Sequence, residues 1–171
     1  MDHAPVTELD ARYSGPDASP TSWEDAQRHL AEAEISWLTT LRAGGRPHVT
    51  PLLTLFVDGV AYFTTGPDEQ KARNLRASAH CALTTGCNRL RDGLDLVVEG
   101  DAARVTDETR LRRLAEAFEA KYGSEWHFDV RDGSFHHDGG EAHVFAVVPT
   151  TAYGFRKGDY AHTRWRFPAR A

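Results

Sequence analysis

The sequence predicts a mainly β protein with flanking helices. Strand-forming residues dominate segment 47–57, and a second such segment, 60–65, follows the dipeptide Asp58-Gly59, which favours a two-residue hairpin turn. Apolar residues also alternate with other residues in a long run that starts at Leu94, as expected for a half-buried strand. Because strands and helical segments follow one another closely, we expect a small barrel wall.

The other elements are predicted from capping residues, periodicity and turn residues. Thr21-Ser22-Trp23-Glu24 has the spacing of a capping box and opens the first helix. A third helix is expected between Thr106 and Gly123, and Gly100 is expected to mark a bulge or sharp bend within its strand. The predicted strands are 35–41, 47–57, 60–65, 79–85, 94–105 and 144–155, and the second helix is 68–76.

The chain length of 171 residues suits one domain, which we place at residues 21–171. Residues 1–20 contain three prolines and few apolar residues, so we expect a flexible arm without regular structure. The net charge of -5 argues against a nucleic-acid partner. No apolar run is long enough to cross a membrane and no signal peptide is recognised, so we expect a cytoplasmic protein. Cys81 and Cys87 lack metal-binding spacing and are expected to be free thiols.

The sequence suggests an anion site where the predicted strand 60–65 ends and the second helix begins. Thr64 and Thr65 supply hydroxyls, Gly66-Pro67 permits the turn, and Lys71 lies in the first part of the helix. Free backbone N–H groups and the helix dipole both favour a phosphate at such a position. The alternative is that Lys71 and the neighbouring arginines form a solvated helix face, and spacing alone leaves that choice open.

Six short segments, in their order and spacing, resemble the FMN-binding split barrel of the pyridoxamine 5'-phosphate oxidase-like superfamily. The resemblance covers residues 23–167. It implies a six-stranded antiparallel split β-barrel that forms a homodimer and binds FMN, or the deazaflavin F420, at the subunit interface. The segments are Ile35–Thr40, Pro47–Pro51, Tyr62–Thr65, Lys71–Leu75, His80–Leu83 and Val98–Ala102.

The resemblance also implies cofactor-binding residues, while no side chain is identified as catalytic or as a metal ligand. Thr50 and its neighbours are expected to face the flavin-type ring, whereas Thr64, Thr65 and Lys71 are expected at the phosphate. Asn74 is expected to add a polar contact at the phosphate. Trp165, in a basic tail, is expected to cover the cofactor; the alternative for this tail is a C-terminal strand with charged flanks. The complete expected set is His48, Val49, Thr50, Pro51, Leu52, Thr64, Thr65, Lys71, Asn74 and Trp165.

Departures from the vitamin-synthesis oxidase narrow the expected activity. Gln70-Lys71 stands where that enzyme has an Arg-Lys pair, and the chain lacks its terminal Arg-Leu-His run. We therefore expect hydride transfer between a bound flavin or deazaflavin and a small organic substrate, and not oxidation of pyridoxamine phosphate. F420 has an additional acidic tail, so basic side chains where the tail leaves the site, such as Arg73, Arg76 or Arg164, would favour it over FMN. The alternative is that these arginines face solvent, and the sequence does not choose between the two.

A metal site and a non-catalytic binding protein are the alternatives to this hypothesis. His127, His136, His137 and His143 lie close in sequence, but their spacing matches no metal motif and the stretch 129–140 is predicted as a polar loop. The other alternative is a non-catalytic protein that binds a cofactor or haem, with His48 or His80 as the axial-ligand candidate. Nucleophile elbows, P-loops and dinucleotide fingerprints are absent from the sequence.

Overall fold

The computed structural model describes residues 4–168, and within that range the chain forms eleven strands and three α-helices. No helix in this range is both long enough and apolar enough to cross a membrane. The helices are α1 Trp23–Glu32, α2 Gln70–Ala77 and α3 Glu108–Tyr122, with a 3₁₀ turn at Ser124–Trp126. The strands are β1 Val6–Leu9, β2 Ser36–Leu41, β3 Pro47–Leu52, β4 Thr54–Val57, β5 Val60–Thr65, β6 His80–Thr85, β7 Leu94–Val105, β8 Asp129–Arg131, β9 Ser134–His137, β10 Gly140–Arg156 and β11 Ala161–Arg166.

The strands form an antiparallel sheet that is not closed, which confirms the predicted mainly β split-barrel class. Its main path runs β1-β11-β10-β7-β6-β2-β3. The hairpin β4-β5 joins this path through β10, and β8-β9 pairs with the start of β10. The described residues therefore contain more strands than the six expected for the barrel alone.

The Asp58-Gly59 hairpin is confirmed, because β4 and β5 pair up to Val57 and Val60 and both turn residues have positive φ. Segment 47–57 is not one strand, however. It is interrupted at Leu53, so that β3 pairs with β2 whereas β4 pairs with β5. This break takes the chain from one edge of the open sheet to β4, which pairs with β5, the neighbour of β10.

Two predicted irregular segments contain strands, and both predictions are wrong there. Val6–Leu9, in the expected arm, pairs along β11 and supplies hydrogen-bond partners to an otherwise open strand edge. In the expected polar loop, β8 and β9 are joined by Asp132-Gly133, and β9 and β10 by Asp138-Gly139. Residues 1–3 of the expected arm and residues 169–171 lie outside the described part of the chain.

Three apolar clusters hold the helices against the sheet. Helix α3 covers one side, Leu75 of α2 packs at one end of the barrel interior, and α1 packs over β7, β10 and β11.

The cap of α1 is displaced by one residue from the predicted box, because the Ser22 hydroxyl accepts the Asp25 N–H. The bulge predicted at Gly100 occurs on the partner strand, between Pro149 and Thr151; a side chain at Gly100 would collide with the Val148 carbonyl.

The two cysteines are free and differ in their surroundings. Burial raises the pKa of the Cys81 thiol to about 12, whereas Cys87 is only partly buried. We expect a thiol reagent at pH 8 to label the native chain at Cys87 and to label Cys81 only after unfolding. Labelling of both sites in the native chain, read by mass spectrometry, would contradict this expectation.

The raised pKa of Cys81 also predicts that the free energy of unfolding declines as the pH rises from about 9 towards 12, because only the unfolded thiol ionises there.

Candidate functional site

Helix α2 brings polar side chains to one end of the barrel interior. Its buried stripe consists of Lys71, Ala72, Asn74 and Leu75, because these positions recur at helical spacing. The Asn74 amide donates to Thr40 Oγ1 on β2 over 2.9 Å and accepts from Gln70 over 2.7 Å. These contacts fix the helix against β2 and place Lys71, which is only 9% exposed, beside the end of the sheet.

Strand β3 contributes two polar side chains to the same end. His48 and Thr50 lie on the half-buried face, since they pair with Thr40 and Leu38, both buried on β2. Thr40, the cross-strand neighbour of His48, accepts the hydrogen bond from Asn74 and so connects β3 with α2. Burial, followed by the positive charges of Arg42 and Lys71, lowers the pKa of His48. Among residues 4–168, neither His48 Nδ1 nor Thr50 Oγ1 has a hydrogen-bond partner although both atoms are buried. Unpartnered buried polar atoms call for an explanation, and a bound ligand is one.

Glu69 lies where an anion was predicted. Its carboxylate accepts the Gly66 N–H over 2.7 Å, the Thr65 hydroxyl over 3.4 Å and a hydrogen bond from Lys71 Nζ. Burial alone would raise the pKa of Glu69, but the contacts with Lys71, Gly66 and Thr65 outweigh it, so the pKa is lowered. The donors expected to hold a phosphate therefore hold a carboxylate of the protein itself.

The structure brings together five of the ten expected site residues. Thr65, Lys71, Asn74, His48 and Thr50 lie at the α2 end of the barrel and are called here the α2 cluster. That these residues bind a cofactor stays a prediction.

Four of the other expected residues lie elsewhere. Thr64 lies on the opposite face of β5 from Thr65, on the side of Tyr62 and α3, since side chains alternate along a strand. Val49 and Pro51 are exposed on the outer face of β3, and Leu52 packs against the barrel core.

Trp165 is not available to cover a cofactor, which corrects its expected placement. Its side chain is 0% exposed and lies among Trp23, Ala26 and Leu94 beneath α1. The indole ring also lies so close to Gly154 that a Cβ there would be 2.5 Å from it. In β11 the residues Ala161, Thr163 and Trp165 alternate with exposed or half-exposed ones, so the tryptophan belongs to the inward face.

The basic residues of the C-terminal tail are tied to neighbouring elements. Arg156 contacts Asp159 and Thr21, and Lys157 contacts Asp95. Arg164 and Arg166 both pair with Glu8 on β1, at the opposite edge of the sheet from β3. Arg164 is therefore remote from the α2 cluster, whereas Arg73 and Arg76 are exposed on α2 itself.

His143 is a polar neighbour of the α2 cluster that was not predicted to be part of the site. It lies directly opposite Thr65 across the β5-β10 pair, and its Nε2 is 3.2 Å from Glu141. Burial lowers its pKa, and the charge of Arg104 on β7 lowers it further. The pairing of β5 with a strand about eighty residues later places His143 there, and no local sequence signal reports such a pairing.

The other three histidines considered as metal ligands make separate contacts. His127 Nδ1 lies 2.7 Å from Glu119, His136 contacts Arg131, and His137 contacts the backbone carbonyl of His127. Within residues 4–168, no three His, Cys, Asp or Glu side chains are grouped so that they could hold a metal ion.

Solved structures with a similar fold span several functions. An F420 reductase is 23% identical, with a TM-score of 0.55 over 74% of this chain and 94% of the other. An FAD-binding protein from Mesorhizobium loti is 14% identical, with a TM-score of 0.59 over 95% and 98% of the two chains. A haem-binding protein from Mycobacterium smegmatis is 16% identical, with a TM-score of 0.63 over 85% of this chain and 58% of the other. At these identities the similarity establishes the fold alone.

The family comparison is more specific. No curated protein matches the chain. The family model described as pyridoxamine 5'-phosphate oxidase matches residues 22–155, which include α1, the whole α2 cluster and most of β10. The chain therefore belongs to the pyridoxamine 5'-phosphate oxidase family.

Proposed function

We propose that this protein is an oxidoreductase that binds FMN or F420 at the α2 cluster and transfers a hydride between that cofactor and a small organic substrate. The observation that carries the proposal is the position of Lys71, buried at the start of α2 beside Thr65. It lies near His48 Nδ1 and Thr50 Oγ1 on β3, which have no hydrogen-bond partner in the described part of the chain. Membership of the family and the folds shared with an F420 reductase and an FAD-binding protein support it.

The residues of the α2 cluster suit the two ends of such a cofactor. Lys71, the Thr65 hydroxyl and the Gly66 N–H are donors for a phosphate. His48 Nδ1 and Thr50 Oγ1 are free to hydrogen-bond the polar edge of a ring. When bound, the ring system supplies the hydride chemistry, and the protein orients it. Oxidation of pyridoxamine phosphate is not proposed, because Gln70 precedes Lys71 and the terminal Arg-Leu-His run is missing.

We further propose that a second copy of the chain covers the outer face of β2 and β3, beside the cofactor. Trp37 and Val49 are 50% and 52% exposed there, and Pro51 is cross-strand neighbour to Trp37. Strand β3 is also an edge of the main sheet path, and its inner face carries His48 and Thr50. A dimer formed through this face would bury the apolar patch and bring two cofactor sites to the interface. Sedimentation equilibrium should give twice the mass of one chain; the mass of a single chain would contradict the dimer.

Titration with FMN and, separately, with F420 tests the cofactor. We expect the cofactor fluorescence to change with saturation at one equivalent per chain for at least one of the two. A cofactor that binds is then reduced, and its reoxidation is followed with candidate organic acceptors. If neither cofactor binds at concentrations up to 100-fold above that of the protein, the proposal fails.

Glu69 supplies a further prediction, because its carboxylate competes with a phosphate for the same donors. Glu69→Gln removes the negative charge and keeps an oxygen that can accept the Gly66 N–H. We expect FMN to bind about twofold to fivefold more tightly, because the Glu69 side chain is half exposed and solvent screens its ion pair with Lys71. Glu116→Gln, on the exposed side of α3, is the control and should leave the affinity unchanged. Weaker FMN binding by Glu69→Gln would show that the carboxylate helps to build the site.

A non-catalytic haem-binding protein is the second candidate function. His48, with its unpartnered Nδ1, favours it, as does the fold shared with a haem-binding protein. His80 is a weaker axial candidate, because its Nδ1 lies 2.6 Å from Asp101. Addition of haemin should then give a Soret band that His48→Ala abolishes and His80→Ala preserves. A wild-type spectrum identical to that of free haemin would exclude this function.

A further inference from the structure

A groove of about 700 Å³ lies at the opposite edge of the sheet from the α2 cluster. Its floor is formed by the neighbouring strands β1, β11 and β10, and the turn at 10–14 borders it. It shares no lining residue with the α2 cluster. Its volume falls in the range of sites that take small molecules, about 300–1,000 Å³. We call it the edge groove.

The lining of the edge groove is fixed by hydrogen bonds between segments remote in sequence. The Asp10 N–H donates to the His162 carbonyl over 2.9 Å, and the His162 N–H donates to Ser14 Oγ over 3.0 Å. Further along, the Gly15 N–H donates to the Tyr160 carbonyl over 3.1 Å. Because the turn at 10–14 is fixed to β11 in this way, the lining is ordered before any ligand arrives, which reduces the entropy lost on binding.

Aromatic rings line this preformed space and leave their surfaces accessible. Tyr13 is 64% exposed and stacks on His162, with ring centroids 6.0 Å apart and planes inclined by 21°. Phe155 meets the same histidine edge to face at 5.1 Å and is partly exposed, and Tyr153 completes the lining on β10. Rings ordered by one another and open to solvent offer stacking surface at low entropic cost.

The charged side chains of the groove neutralise one another. Arg12 pairs with Asp10 at 2.8 Å, and Arg164 pairs with Glu8 at 2.5 Å. The hydrogen bond from Arg12 lowers the pKa of Asp10 to about 2, so the first pair stays ionised at neutral pH. Glu8 also pairs with Arg166, so neither carboxylate is left to attract a cation. This disfavours a cationic ligand, and the aromatic lining favours an uncharged ring.

We propose that the edge groove is a second binding site, separate from the α2 cluster, which takes an uncharged planar aromatic compound by packing against Tyr13, His162 and Phe155. The ring of the ligand would lie against these side chains, with Arg12 and Arg164 at the rim. This site goes beyond the proposed oxidoreductase activity and does not depend on the identity of its cofactor.

Indole, a neutral planar bicycle, is the probe that tests the proposal. Full-length protein is titrated with indole by calorimetry, and amide chemical shifts locate the site. We expect shift changes at Tyr13, Phe155 and His162, and at least tenfold weaker binding by Tyr13→Ala and by Phe155→Ala. Tyr160→Ala is the matched control, because Tyr160 is an exposed tyrosine of the same hairpin outside the groove lining, and it should bind as the wild type does.

Several results would overturn the proposal. They are no indole binding by the wild type, shift changes confined to the α2 cluster, displacement of indole by FMN, or unchanged affinity in both alanine variants. Because Tyr13 is exposed, loss of folding is not expected; Tyr13→Leu keeps apolar bulk without an aromatic face, and it should also weaken binding. A groove closed by a second copy of the chain would appear as the first of these results.

Discussion

Replacing Trp165 by alanine is expected to lower the free energy of unfolding by about 3–5 kcal/mol, the cost of emptying a large aromatic site in a core. The indole ring has no exposed surface, and its centroid lies 5.3 Å from that of Trp23. Its loss would leave a cavity between α1 and the β10-β11 hairpin, where Gly154 provides no side chain to fill the space. Urea unfolding followed by circular dichroism measures the change.

Trp126→Ala is the matched control for that experiment. Trp126 is 36% exposed on the 3₁₀ turn, so its replacement should cost much less than that of Trp165. If the two variants lose similar stability, Trp165 is not the core residue that the structure indicates. A Trp165→Ala protein of unchanged stability but lower cofactor affinity would restore the idea of a cofactor cover.

Replacing Lys71 by alanine is expected to weaken FMN binding by about 1.5–3 kcal/mol, the contribution of a hydrogen bond to a charged group. Lys71 is almost completely buried. Its ammonium group, the Thr65 hydroxyl and the Gly66 N–H all donate to the Glu69 carboxylate, so the three donors lie close together. The measurement is a fluorescence titration of the wild type and of Lys71→Ala with FMN at the same ionic strength, since salt screens such contacts.

Riboflavin separates a phosphate contact from a general effect on the site. It has the flavin ring of FMN without the phosphate, so Lys71→Ala should leave its affinity nearly unchanged. Arg73→Ala, two residues further along α2 and exposed, controls for the loss of a positive charge on this helix. Equal losses for FMN and riboflavin would place Lys71 in a structural role. Equal losses for Lys71→Ala and Arg73→Ala would indicate attraction by the net charge of α2.

Local turn chemistry made part of the fold predictable. The Asp58-Gly59 hairpin follows from two residues that tolerate positive φ, and the same dipeptide occurs at Asp132-Gly133 and Asp138-Gly139. The signal for β8 and β9 was thus present in the sequence, but the surrounding histidines and aspartates made the stretch resemble a polar loop. Strand β1 has no comparable signal, since it is four residues long and is stabilised by a partner more than 150 residues away.

The candidate site shows the same division between local and long-range information. Lys71 and Asn74 were predictable because they share one face of a short helix that starts after a turn. Their proximity to His48 depends on the pairing of β2 with β3 and on the hydrogen bond between Asn74 and Thr40. Trp165 was misplaced because the arginines around it suggested a surface strand, although the alternation in β11 itself indicates one buried face.

The Glu69 carboxylate has a consequence for which ligands the α2 cluster can accept. Because it is attached to the chain two residues before Lys71, it occupies these donors without loss of translational freedom, at an effective concentration on the order of millimolar. Inorganic phosphate must displace it with its charge and hydrogen bonds alone and is expected to bind weakly. If the α2 cluster binds FMN or F420 as proposed, the ring gains additional contact area with β3 and thereby helps the cofactor to displace the Glu69 carboxylate. The proposed function therefore predicts that the helix start discriminates between small ions and extended phosphorylated molecules, which a competition of inorganic phosphate against FMN would test.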